Sequence, residues 1–440
     1  MKHLTEKTAR AISPVIGTVL LVALVVILST TVFAVTGQIV PSLSTPGTAA
    51  VSFDEGTNTG GVTVTVEHTG NIDQLIVETE HISKKLSAQA GDSVTVPLYD
   101  SKAHVFSVSD GSRTLLQTYQ ASYGLRPSGA AQYYHSGPHP SSSVKKPKYV
   151  ERQGEYAFVV FQANPGYLVA YDVSDSSNPT VVDTVNVAQA GGPNGGYTLS
   201  IANDTLYVSQ NGGSFTTVDI TDPTEMAVES HVSTGGQGFD IATKGHYVYV
   251  ADATGALRVF DAGDPANPTQ VATRTVSAGG VAVEGDQLYV TDYPNNQILI
   301  YDISDPGAPS QIGSYSTSFA FPVPVEVSDN QVYVQKYGGS QVEVVDVSDP
   351  MSPSKVTTIS TPGTIPNGGA VEVAGDRVFL ITGQSGNAHI SLYAADDLST
   401  PIAEHTVPGS PQIGAGDVWG KFVYLPNYSD KGLTSVRVAS

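Results

Sequence analysis

From Tyr149 onward the sequence repeats itself, and the period of that repeat constrains the fold more than any single residue does. One unit, residues 279–316, reads GGVAVEGDQLYVTDYPNNQILIYDISDPGAPSQIGSYS. Its centre, LYV at 288–290, recurs in related form at 206–208, 248–250, 332–334, 378–380 and 423–425, and AFVV at 157–160 makes a seventh copy. The strand and turn that follow recur as YDVSD, VDITDP, FDAGDP, YDISDP and VDVSDP, and in degenerate form as YAADD and VRVAS. Their equivalent positions are Asp172, Asp219, Asp261, Asp302, Asp346, Ala394 and Arg437, spaced 41 to 48 residues apart. Each unit reads as four short strands: an inner VAVEG, a central QLYVTD, a third QILIYDI and, after the Asp-Pro turn, an outer SQIGSYS. A period of about 40–50 residues with four strands per unit predicts a β-propeller, here seven-bladed over residues 149–440.

This region resembles the LVIVD-repeat and wider YVTN-like propellers of archaeal and bacterial surface proteins, a resemblance that speaks to architecture. The seventh unit lacks its outer strand, and an open strand edge invites pairing with other chains. Residues 130–135, AAQYYH, stand where an outer strand would precede the first unit, so they are expected to complete the last blade.

The repeated aspartates could be read as a ring of Ca²⁺ ligands. Their place at a strand-to-turn junction in repeat after repeat favours a structural role instead, with each carboxylate accepting backbone N–H groups while proline fixes the turn. Asp286, Asp376 and Asp417 are read in the same way, in hairpin turns between inner and central strands. His135 and His139 have no ligand-spaced partners, so no metal site is expected, nor any cofactor. Nor does the sequence hold a nucleophile elbow or a phosphate loop, and no catalytic residue is assigned. Asn203 and Asn427 head Asn-X-Ser/Thr triplets at predicted turns and are candidate N-glycosylation sites.

Forty-one acidic against 21 basic residues give a formal charge of -20, which disfavours nucleic acid as a partner. It suits the solvated surface of a protein from a high-salt habitat, or simply an acidic extracellular one. The 44 glycines and 27 prolines agree with many tight turns. There is no cysteine, so neither disulfides nor thiol chemistry operate.

At the other end of the chain, Lys2, Lys7 and Arg10 precede a stretch with no charged residue from Ala11 until Asp54. Its helix core, Val15 to about Val40, exceeds the roughly 20 residues that cross a bilayer. It is also too long for a signal-peptide core of about 7–15 residues. The basic flank places its start in the cytoplasm and all that follows outside. The segment RAISPVIGTVLLVALVVILS resembles the N-termini of archaeal type IV pilins, especially those of haloarchaea. That resemblance implies a leader, residues 1–11, removed by a prepilin peptidase between Ala11 and Ile12, with Arg10 as the recognised charge; cleavage one residue earlier stays open. Residues 12–40 would then be a helix that sits in the membrane or packs against other pilin subunits in a filament core, with Pro14 harmless in its first turn. A plain single-span anchor is the alternative.

Alternating segments at 62–68, 73–79, 93–97, 104–108 and 113–119 predict a small β-sandwich over 49–120, similar to pilin heads. Residues 121–148, rich in Ser, Pro and Gly, read as a linker. The expected whole is mainly β: an apolar helix, a sandwich and a propeller, in a pilin-like cell-surface protein, a filament subunit or a minor or tip pilin, that displays the propeller for adhesion to or recognition of an unidentified extracellular ligand. Two alternatives remain, a membrane-anchored propeller enzyme of hydrolase or lactonase type, which inward carboxylates or histidines in the channel would support, and a surface-layer component.

Overall fold

A computed structural model describes residues 49–55, 61–69, 72, 74–78, 83–87, 89–97, 102–109, 112–120, 129–130, 132–136, 147–162, 166–188, 196–210, 212–236, 238–252, 254–319, 322–336, 339–363, 371–374, 377–384, 387–408, 415–419, 422–427 and 432–438. The leader and the apolar helix expected at 12–40 lie outside the described residues. Among the described residues every regular element is a strand, and no helix is long and apolar enough to cross a membrane.

Residues 49–120 form two sheets. One orders Ala49–Glu55, Gly61–Thr69 and Ser93–Pro97; the other orders Ser83–Ser87, Gln74–Glu78, Lys102–Ser109 and Ser112–Gln120. Alternation sends Val62, Val64 and Val66 inward from the first sheet to meet Leu75, Val77, Leu86 and Val105 of the second in one core. Two strands are additional to those read from the sequence. Ser83–Ser87 carries a single apolar residue, Leu86, and Ala49–Glu55 lies ahead of the first alternating segment read from the sequence.

Seven further sheets follow along the chain, spanning 147–186, 196–233, 238–275, 278–316, 322–360, 371–408 and 417–437. In each of the first five, four antiparallel strands lie side by side in sequence order. Two-residue turns join inner to second strand. Asn203 and Asp204, with φ of 51° and 60°, supply the positive values that such a tight hairpin demands. The second strands are buried almost throughout, because sheets pack on both of their faces, whereas the outer strand Ala227–Ser233 alternates between exposed and half-buried positions. Bulges recur at the same place between third and outer strands, at Ala170/Tyr171, Thr217/Val218, Val259/Phe260, Ile300/Tyr301 and Val344/Val345. A bulge sharpens the local right-handed twist, and repeating it gives successive sheets the same warp.

The core lies between sheets rather than within them. One aromatic per second strand reaches into the following sheet: Tyr207, with Phe215 of the third strand beside it, meets Ile241, Val248 and Val250, Tyr249 meets Val281, Leu288 and Val290, and Tyr289 meets Val325 and Val332. Tyr424 of the last sheet packs on Val150, Val159 and Val169 of the first. First and last inner strands also meet directly, since Tyr149 bridges Ala415 and the Ala415 N–H donates to the Lys148 carbonyl at 2.9 Å.

Two boundaries are corrected. The outer strand of the seventh sheet is Gln132–His135, antiparallel to Gly432–Arg437, but Ala130 does not belong to it. Gly129–Ala130 adds instead a fifth, parallel strand beside Ala403–Pro408 of the sixth sheet. The linker is also shorter than read, for Pro147 and Lys148 already open the first inner strand.

Candidate functional site

The inner strands enclose a central cavity of about 520 Å³. Pairing with the second strands fixes which inner residues are equivalent. Glu151 faces Phe158, Ser200 faces Tyr207, Ala242 faces Tyr249 and Ala282 faces Tyr289. Glu326 faces Tyr333, Glu372 faces Phe379 and Asp417 faces Tyr424. The residues at this one level therefore divide in two. Four consecutive sheets, the fifth, sixth, seventh and first, present Glu326, Glu372, Asp417 and Glu151; the remaining three present Ser200, Ala242 and Ala282. One wall is acidic and the opposite wall is small.

These carboxylates touch the lumen but are otherwise enclosed by protein, and their proton affinities reflect it. Burial raises the Glu151 carboxyl to about 8, with the charges of Asp417 and Asp240 adding to the effect and the Ile201 N–H opposing it. Burial, then the charges of Glu326, Asp417 and Glu151, hold Glu372 well above the usual carboxylate range. Asp417 is lifted by burial to about 6, against the pull of the Arg152 charge and of the Val418 and Arg152 N–H groups. Asp240, one step away on the third inner strand, is likewise raised by burial to about 6, although the Val281 and Ile241 N–H groups each donate to it at 3.0 Å. Tyr149 titrates well above 10, first through burial and then through Glu372, Glu151, Glu326 and Asp240, so its phenol shares the field of the whole group.

A single guanidinium stands among them. Arg152 is 2% exposed, donates through Nη2 to the Gly154 carbonyl at 2.8 Å, and lies 4.6 Å from the centre of the Tyr424 ring. Asp417 Oδ2 is buried with no hydrogen-bond partner. Gln335 also lines the cavity at 1% exposure, and its Oε1 has no partner either.

Asp417 is a correction, because the sequence reading put it in a hairpin turn. It opens the seventh inner strand, Asp417–Trp419, and the turn falls after that strand; the Gly416-Asp417 pair imitates the Gly-Asp turns of other units. The acidic wall was missed because each carboxylate sits in a different repeat. Stacking the repeats on their central LYV motif would have shown a column reading Glu, Ser, Ala, Ala, Glu, Glu, Asp.

The other singled-out residues lie elsewhere. Asp172, Asp219, Asp261, Asp302 and Asp346 each accept the N–H two residues ahead, at 2.8–2.9 Å, in turns remote from the cavity wall. Asp286 is in a hairpin turn and pairs with Lys244 at 2.5 Å; Asp376 lies outside the described residues. Asn203 is exposed at the cavity's turn-side rim, where its Nδ2 donates to the Gly245 carbonyl at 3.4 Å, whereas Asn427 is fully buried and donates to Thr434 Oγ1 at 3.1 Å. His135 Nδ1 is 2.7 Å from Thr434 Oγ1; His139 lies outside the described residues, as do Arg10, Ala11 and Ile12. Among the described residues no three His, Cys, Asp or Glu side chains converge as metal ligands.

Five stretches of the chain, residues 148–187, 196–234, 235–275, 277–317 and 324–361, match a known repeat family. The match is to the LVIVD repeat. The matched LVIVD repeats cover the first five sheets of the ring, while the sixth and seventh, where Ala394 and Arg437 replace the turn aspartate, lie beyond them. No curated protein sequence matches the chain. Among solved structures it is similar to the β-propeller domain of Cps50 (Swd1) from Myceliophteria thermophila, at 11% identity over 70% of this chain and 100% of that one, with a TM-score of 0.53. It is also similar to a chain of the Mitotic Checkpoint Complex, at 13% identity over 75% and 99%, with a TM-score of 0.52. At such identities the likeness is one of fold, that of a β-propeller.

Proposed function

We propose that the chain is a pilin-like cell-surface protein whose LVIVD repeats form a seven-bladed propeller used for recognition or adhesion. The observation that carries the reading is the N-terminal pattern: Arg10-Ala11-Ile12-Ser13-Pro14 at the mouth of a stretch uncharged from Ala11 to Phe53, ahead of a propeller. A charged leader that can be removed, followed by an apolar helix, suits a subunit stored in the membrane and later packed against identical helices. A prepilin peptidase, the membrane and neighbouring subunits are its partners in this reading, with Asn203 open to glycosylation outside the cell. The seven successive sheets serve as seven blades, and Gln132–His135 completes the last.

The test is the mature N-terminus. Expressed in an archaeal host with prepilin peptidase present or deleted, the chain should start at Ile12 only when the peptidase is present, as read by intact mass. A Met1 start in both strains would leave a simple anchored propeller.

The enzyme reading retains one specific support, the inward carboxylates of the channel. Against a metal-dependent hydrolase stands the lack of three convergent ligands among the described residues. Binding without turnover fits the channel better, and a screen of lactone, ester and glycoside hydrolysis by wild type and Glu372→Gln separates the two.

A further inference from the structure

The lining of the channel holds more carboxyl groups than cations. Glu326, Glu372, Asp417 and Glu151 line one wall at a single level. The guanidinium among them, Arg152, already donates to the Gly154 carbonyl and lies against the Tyr424 ring. Enclosed carboxylates of like sign repel one another, and a cation placed beside them relieves that repulsion.

A second, independent feature lies in the same cavity. Gln335 is 1% exposed and lines the same cavity, two residues along its strand from Tyr333, which pairs with Glu326. Its Oε1 has no hydrogen-bond partner, and the same holds for Asp417 Oδ2. A buried acceptor left unsatisfied costs about 1–3 kcal/mol, so such groups call for a donor. These two groups are acceptors, and both belong to the cavity with the acidic wall.

We propose that the channel binds one small organic cation, a primary ammonium or guanidinium group, whose N–H donors face the carboxylate wall and Gln335 Oε1. A bare metal ion fits less well, since no three ligands converge among the described residues. An ammonium or guanidinium carries several donors in fixed directions and reaches acceptors spread over a wider span than a metal shell. The opposite wall suits the rest of such a molecule. Ser200, Ala242 and Ala282 leave room there for a short hydrocarbon tail. The 520 Å³ cavity lies within the usual size range of small-molecule sites. This site does not depend on the N-terminal helix entering a filament.

The experiment is calorimetric titration of the full chain in detergent micelles with n-butylammonium and with methylguanidinium, alongside neutral n-butanol and calcium chloride. Saturable binding of at least one organic cation at one site per chain, with none for butanol, is the expected result. Glu372→Gln and Gln335→Leu should each weaken it at least tenfold, while Glu225→Gln, an exposed carboxylate far from the channel, should leave it unchanged. Near-UV circular dichroism verifies folding of each variant, and because Glu372→Gln relieves repulsion it should fold at least as well as wild type. No saturable heat from either cation on folded protein, equal binding in the channel variants, or binding of calcium alone would overturn the assignment.

Discussion

The backbone N–H of Ile201 donates to Glu151 Oε1 at 3.1 Å, tying a carboxylate of the first sheet to the inner strand of the second. Glu151 thus bridges two blades while facing like charges, and this gives the ring a pH dependence of definite sign. In the folded chain its carboxyl titrates at about 8 rather than at the ordinary 4.5. Between those values the unfolded chain binds fewer protons than the folded one, so stability falls as pH rises. Asp240 and Asp417 add to the fall between 3.8 and about 6. The melting temperature should therefore decline from pH 5 to pH 8, with a shallower slope in Glu151→Gln. A profile unchanged by that substitution would remove Glu151 from the account.

At the acid end the turn aspartates act in the opposite sense. Asp219 is held below 3.8 by the Thr221 hydroxyl and N–H, and Asp302 by the Ser304 N–H and hydroxyl. A depressed carboxyl stabilises the fold above its unfolded value and loses that contribution as pH drops through the folded one. Stability should thus decline again below about pH 4. In an Asp219→Asn/Asp302→Asn variant this acid limb should be smaller while the limb above pH 5 is kept, as followed by circular dichroism.

Tyr249 is fully buried and its hydroxyl donates to the Pro306 carbonyl of the next sheet at 3.0 Å. Tyr249→Phe removes that bond and should cost about 1 kcal/mol, partly offset by the lower burial demand of the ring. Tyr249→Ala empties an interface between two sheets and should cost about 3–5 kcal/mol. Urea unfolding monitored by fluorescence measures both, and equal losses would mean that the aromatic packing contributes little.

Arg152 is the charge that lowers Asp417. Arg152→Met should destabilise by about 3–5 kcal/mol, because it leaves Asp417 enclosed without its counter-charge. Adding Asp417→Asn should restore much of the loss, and the coupling read from the double-mutant cycle is the quantity to measure. Strict additivity would show that the two residues act separately.

Much of this was legible in the residues and some was not. Strands announced themselves where apolar residues alternate or run together, as in 62–66 and 288–290, and the period of the LVIVD units carried the architecture. Ser83–Ser87 stayed hidden, since one leucine among serines and lysines has no periodicity to detect. The acidic wall stayed hidden for a different reason. Glu326, Glu372, Asp417 and Glu151 lie in four different repeats, and only their shared offset from the central motif of each unit links them in the sequence. Local pattern reports on local structure, whereas the channel is a property of the circle.

The strand that closes that circle is made long before its partner. His135 and Thr434, whose side chains meet in the seventh sheet, stand 299 positions apart in the chain. As a ribosome or an export channel releases the polypeptide from its start, Gln132–His135 emerges first and waits while blade after blade forms behind it. A contact of such long range is the slowest kind to form. Earlier blades can assemble on their neighbours as they appear, but the ring itself locks only after the last repeat is free, so its final maturation belongs to the compartment where synthesis or export ends.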